Sequence, residues 1–164
     1  MVLSRKNLFG TATALGAAAV LGGVAARAAD LPVVGAWKLV SFEVDEPNGR
    51  KPRFGPHPAG YLTYTSSGKV SAVLSGLDRA ALRSPVGPSA QASCVQSVAD
   101  FLAYAGSYEV RGDRVFHHVE VSVFTNLLGT TLERQFTIQG DTLTIKTLPP
   151  EIWGGSNVLV WKRA

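Results

Sequence analysis

Four side chains in one stretch could do acid–base or anion chemistry: His117, His118, Glu120 and Arg134. Histidine titrates near neutral pH, and a carboxylate beside it can tune that titration. An arginine can hold a carboxylate, or stabilise oxyanion charge as it develops. The segment Val115 to Phe124 reads as extended chain, where neighbouring side chains point to opposite faces. His117 and His118 therefore cannot both enter one lumen. If the face of Val115, Val119, Val121 and Val123 is the core, His117 points inward and His118 with Glu120 meets water. If the lumen is partly polar, His118 and Glu120 line it and can meet Arg134. Both phases are open.

Arg134 is easier to place. In Leu132 to Ile138 the apolar set is Leu132, Phe136 and Ile138, and Arg134 shares their parity. An arginine among core residues must be paired and hydrogen-bonded. It is either a strut that ties a carboxylate or carbonyls, or an anchor for a ligand carboxylate or enolate oxygen. Tyr108 shares an inward face with Val110 by the same alternation. Arg134, Tyr108, Tyr64, His118 and Phe136 form the candidate ligand-binding set. His118, His117, Glu120 and Arg134 form the candidate catalytic set. No Gly-x-Ser-x-Gly elbow and no phosphate-binding glycine loop is present. His57, His117 and His118 have no zinc-ligand spacing. No metal and no cofactor is expected.

The elements that must position these groups are strands. Trp37 to Asp45 is a first strand, with Trp37 and Leu39 on one face and Ser41 and Glu43 following. Gly60 to Thr65 and Lys69 to Ser75 form a hairpin. Gly106 to Arg111 and Val115 to Phe124 form a second, around Gly112-Asp113. Thr131 to Gln139 and Thr142 to Leu148 form a third, around Gly140-Asp141. Val158 to Arg163 closes the chain. Glycine and aspartate suit such turns. The expectation is all-β: an eight-stranded antiparallel barrel with one short helix, closed so that no sheet edge is left. Pro47 to Ala59 holds four prolines and reads as an irregular loop. Leu77 to Leu102 reads as a long crossing. Ser93 caps a short helix there, with Val95, Val98, Phe101 and Leu102 on one face. That helix is either a lid or a plug.

The chain divides into residues 1–29, a cleavable export signal, and residues 30–164, the barrel domain. Arg5 and Lys6 precede an uncharged stretch from Leu8 to Ala26, and Ala26-Arg27-Ala28 offers a cleavage site. Ser4 to Phe9 resembles a twin-arginine motif with Lys6 at the second arginine, so that route and general secretion are both open. The expected address is the periplasm or the exterior. Loss of Arg5, Lys6 and Arg27 leaves 13 basic and 12 acidic residues, a net charge of +1. A nucleic-acid partner is therefore not expected. Cys94 is the only cysteine. It is either a buried thiol or a bridge between two copies.

These landmarks together resemble the bacterial and fungal lipocalin-like domains, a set distinct from the secreted lipocalins proper. They include Val34-Gly35-Ala36-Trp37-Lys38-Leu39, Gly60-Tyr61-Leu62-Thr63-Tyr64-Thr65 and Tyr104-Ala105-Gly106-Ser107-Tyr108. His117-His118-Val119-Glu120, Arg134 with Phe136, and Trp161-Lys162-Arg163 complete them. The family usually has proline where this chain has Thr125. The resemblance implies a small barrel with a cavity, and Arg163 stacked over Trp37 at the closed end. It implies no single activity.

The leading expectation is binding of a small, largely apolar or amphipathic molecule in the barrel. One alternative is a cofactor-independent isomerase, cyclase or dehydratase that uses a histidine and Arg134. The other is a structural barrel whose surface binds another protein.

Overall fold

A computed structural model of the chain describes residues 31–78, 98, 100–148 and 156–164. The export signal, Cys94, and Ser93 with Val95 of the expected helix lie outside them. In the described residues the chain forms nine strands. They are β1 (Gly35–Glu46), β2 (Gly49–Pro52), β3 (Pro58–Tyr64), β4 (Lys69–Gly76), β5 (Phe101–Arg111), β6 (Arg114–Ser122), β7 (Thr131–Gln139), β8 (Thr142–Thr147) and β9 (Asn157–Arg163).

Eight of these strands form the expected closed antiparallel barrel. The order is β1-β3-β4-β5-β6-β7-β8-β9, and β1 pairs back onto β9. The ninth, β2, is a short flap on the far end of β1, from Glu43↔Pro52 to Glu46↔Gly49. The ring forms because each strand carries apolar residues at every second position. In β4, Val70, Ala72 and Leu74 are buried while Lys69, Ser71 and Val73 face out. In β7, Leu132, Arg134 and Phe136 are the buried set. Gly112 and Gly140 open two-residue turns with φ of 62° and 57°. Such turns match the twist of the strands they join.

Three sequence expectations need correction. Pro47 to Ala59 is not one irregular loop, because β2 and the start of β3 fall inside it. Phe101 and Leu102 belong to β5 rather than to a helix, paired with Ser75 and Leu74 of β4. In β1 the inward parity changes partway. The register slips between Leu39 and Ser41, so Val40 is looped out and exposed. Trp37 and Leu39 point in before the bulge, and Phe42 and Val44 point in after it. A bulge adds one residue and so flips the face of everything beyond it.

One end of the barrel is closed by Trp37, which is fully buried. Its Nε1 donates to the Val33 carbonyl at 2.8 Å. The Arg163 guanidinium lies 4.2 Å from the indole centroid, as the resemblance implied.

Candidate functional site

The centre of the lumen is polar, built from six strands. His117 is buried, at 1% exposure. It sits on β6 directly opposite Tyr108 of β5. Its Nε2 meets the Tyr64 hydroxyl at 2.8 Å, and its Nδ1 meets the Tyr104 hydroxyl at 2.8 Å. β3 supplies Tyr64 and β5 supplies Tyr104, so the imidazole bridges three strands. Burial holds the His117 pKa well below its usual value, and the Arg134 charge pushes it the same way. The ring is therefore neutral, with one donor nitrogen and one acceptor nitrogen. One tyrosine donates to the ring, and the other accepts from it. Burial also raises the Tyr64 pKa well above normal, with the neighbouring Tyr104 adding to the rise. Both ends of this contact stay uncharged at neutral pH.

Arg134 enters from β7 and is 8% exposed. It lies across from Thr147 of β8 and Val115 of β6. Its Nη1 donates to the Glu133 carbonyl at 3.3 Å. Thr147 in turn accepts the Asn157 backbone N–H on its Oγ1, at 2.8 Å. A row of polar residues thus runs from β7 through β8 to β9. Arg134, His117, Tyr104, Thr147, Asn157 and Trp161 share a cavity with Phe42, Leu62, Ala72, Leu74, Leu102, Ile145 and Leu159. The cavity is about 30 Å³, counted as space open to the centre of a water molecule. That admits about two waters. The rest of the lumen is filled by inward aliphatic and aromatic side chains.

The sequence candidates separate cleanly. Arg134, Tyr64 and His117 meet at the cavity and its edge. Tyr108 points inward, but its hydroxyl donates to the Thr65 carbonyl at 3.0 Å. Its ring packs edge-on against Tyr64, with centroids 4.9 Å apart. Phe136 is buried in the wall and is not among the described cavity-lining residues.

His118 and Glu120 are on the outside. His118 Nδ1 meets Thr131 Oγ1 at 2.9 Å. Its Nε2 lies 3.4 Å from Glu109 Oε1. Glu120 accepts from Lys69 Nζ at 2.8 and 3.0 Å, and that bond lowers its pKa, with Ser107 adding to the shift. The phase with the valine face inward holds for Val115, His117 and Val119. It fails at Val121 and Val123, which are exposed. The register slips where Ala105 faces Val121 and Gly106 faces Val119. Glu120 is the extra residue of that bulge, so the chain beyond it changes face.

The comparisons with known proteins agree with this architecture. Residues 34–164 match the model of a family described as lipocalin-like domain. The chain belongs to that lipocalin-like domain family. A 4'-hydroxy-3'-methoxypropiophenone carrier protein of Aspergillus oryzae is 35% identical to it over 74 residues. The match spans 38% of this chain and 67% of that protein.

Four polar members of this lipocalin-like lumen escaped the sequence reading: Tyr104, Thr147, Asn157 and Trp161. Alternation carries the signal for each. Tyr104 has the parity of Tyr108, Thr147 that of Leu143 and Ile145, and Asn157 that of Leu159. Tyr104 and Asn157 were missed because β5 and β9 each begin earlier than their apolar runs suggest.

Proposed function

We propose that this barrel carries a small, largely apolar molecule whose one polar end sits against Arg134 and the Tyr64–His117–Tyr104 chain. The observation that carries the reading is Arg134, a charged group set into the lumen wall of a small barrel. Apolar walls supply affinity, and a few buried polar groups fix orientation. The carrier function in the name of the Aspergillus relative supports the same reading. A cavity of about 30 Å³ is far below the roughly 300–1,000 Å³ of ordinary ligand sites. Binding therefore displaces inner side chains instead of filling a ready void. We place the mature protein in the periplasm or outside the cell, beginning at Ala29 or Asp30.

Native mass spectrometry of protein purified from its host's periplasm tests address and cargo together. The expected mass is that of the processed chain plus a small molecule. Arg134→Met should then weaken binding of that molecule by about 2–5 kcal/mol. Full affinity in a folded Arg134→Met protein would rule out the anchor. One observation favours the acid–base alternative, the neutral His117 between two phenols beside Arg134. Under that alternative the captured molecule is converted on incubation, and His117→Gln stops the conversion. An unchanged molecule leaves the carrier.

A further inference from the structure

Asn157 is the least explained group in the lumen. Its residue is fully buried, and among the described residues neither its Oδ1 nor its Nδ2 has a hydrogen-bond partner. Its backbone is well held. The N–H goes to Thr147 Oγ1 at 2.8 Å, and the residue pairs with Val44 across the barrel seam. The side chain is thus fixed in place with both of its polar atoms unmet. Trp161, on the same inward face of β9, is also buried, with its Nε1 unmet among the described residues. Buried polar atoms in folded proteins nearly always have partners. Both residues line the same cavity, so the missing partner belongs there.

The chemistry of the missing partner follows from the amide. A carboxamide presents one acceptor and two donor hydrogens side by side. A ketone, ether or carboxylate only accepts and would leave Oδ1 unmet. A hydroxyl donates to Oδ1 while it accepts from Nδ2 or from the indole N–H. Its size also fits. Space for about two water-sized centres takes a hydroxyl oxygen and the carbon that bears it. We propose that Asn157 is the specificity residue of this lumen, and that it selects molecules with a hydroxyl on an apolar body. The proposal rests on the carrier reading above.

The test uses the mature protein and three matched probes: 2-naphthol, 2-methoxynaphthalene and naphthalene. Fluorescence titration should show 2-naphthol binding at least about tenfold tighter than the other two. In Asn157→Leu, which keeps the branched shape of the amide without its polar atoms, the preference should fall to about onefold while naphthalene still binds. The melting temperature of that variant should hold or rise, because an unmet buried amide has been removed. Equal binding of all three probes by the wild type overturns the hydroxyl claim and leaves the carrier reading standing. An unchanged preference in Asn157→Leu overturns the role of Asn157. A lower melting temperature together with an unchanged preference makes Asn157 a structural residue that holds a buried water. Binding of none of the three overturns the carrier reading, and this inference with it. The wild-type comparison decides the hydroxyl claim even if the variant does not fold.

Discussion

His117 sets the chemistry of the lumen through a charge it does not carry. The imidazole is buried between two phenols, and burial keeps it neutral. In the unfolded chain the same ring has its ordinary pKa of about 6.5. Below that pH the unfolded state takes up a proton that the folded state refuses. Stability is therefore complete above about pH 6.5 and falls as the pH drops, by up to about 1.4 kcal/mol per pH unit. Urea titrations between pH 7 and 5 should show this slope. His117→Gln should remove it and cost about 1–3 kcal/mol at pH 7, because two phenol groups lose their partner. Glu109 and Glu120, whose pKa values are lowered by Arg111 and Lys69, act only below the ordinary carboxylate range. The window above pH 5 thus excludes those carboxylates, and the part of the slope that His117→Gln removes belongs to this ring rather than to His57 beside Asp78 or His118 beside Glu109. A flat profile there would mean that His117 takes up its proton as readily folded as unfolded.

At the scale of strands, two bulges decide which residues reach the lumen. Gly106 makes the second one possible. A Cβ on Gly106 would lie 1.9 Å from the His118 carbonyl oxygen, which is backbone and cannot step aside. Gly106→Ala should therefore push β5 from β6 and cost about 3 kcal/mol. It should also loosen the His117 contacts to Tyr64 and Tyr104, which thermal melts and the histidine NMR signals would report. A melt within a degree of wild type would show that the strands can part freely at this point. The same bulge explains what the sequence could disclose. Alternation placed Arg134 correctly, since β7 runs without a break from Leu132 to Phe136. The three glycine turns and the apolar runs were enough for the ring of strands. Alternation misled at Val121 and Val123, and at Ser41 and Glu43, because an extra residue leaves no mark in composition. Asn157 and Thr147 have the inward parity of their strands but stand at strand ends. A polar residue at a strand end reads as a turn unless the facing strand is known.

At the scale of the whole barrel, the β1–β9 ladder closes the ring, and a few contacts near Trp37 seal its end. Arg163 of β9 lies over Trp37 of β1, and its guanidinium donates to the Val34 and Pro32 carbonyls at 3.2 and 3.4 Å. The backbone continues the seam, with Ala164 N–H donating to the Ala36 carbonyl at 2.9 Å. The Trp37 indole is held from the other side by Val33. One side chain therefore ties the entry to β1 onto the last strand and covers the ring that seals the lumen. Its side chain is 39% exposed, so water weakens both the stacking and the hydrogen bonds. Arg163→Ala should cost about 2 kcal/mol, a drop in melting temperature on the order of 5–10 °C. Arg163→Lys should recover only part of this, because an ammonium cannot stack flat while reaching two carbonyls. Hydrogen exchange should locate the loss at the β1–β9 seam and leave the β4–β5 pairing protected. Full recovery by lysine would reduce the contact to simple charge, and an unchanged melt for alanine would mean that Trp37 seals the barrel without it.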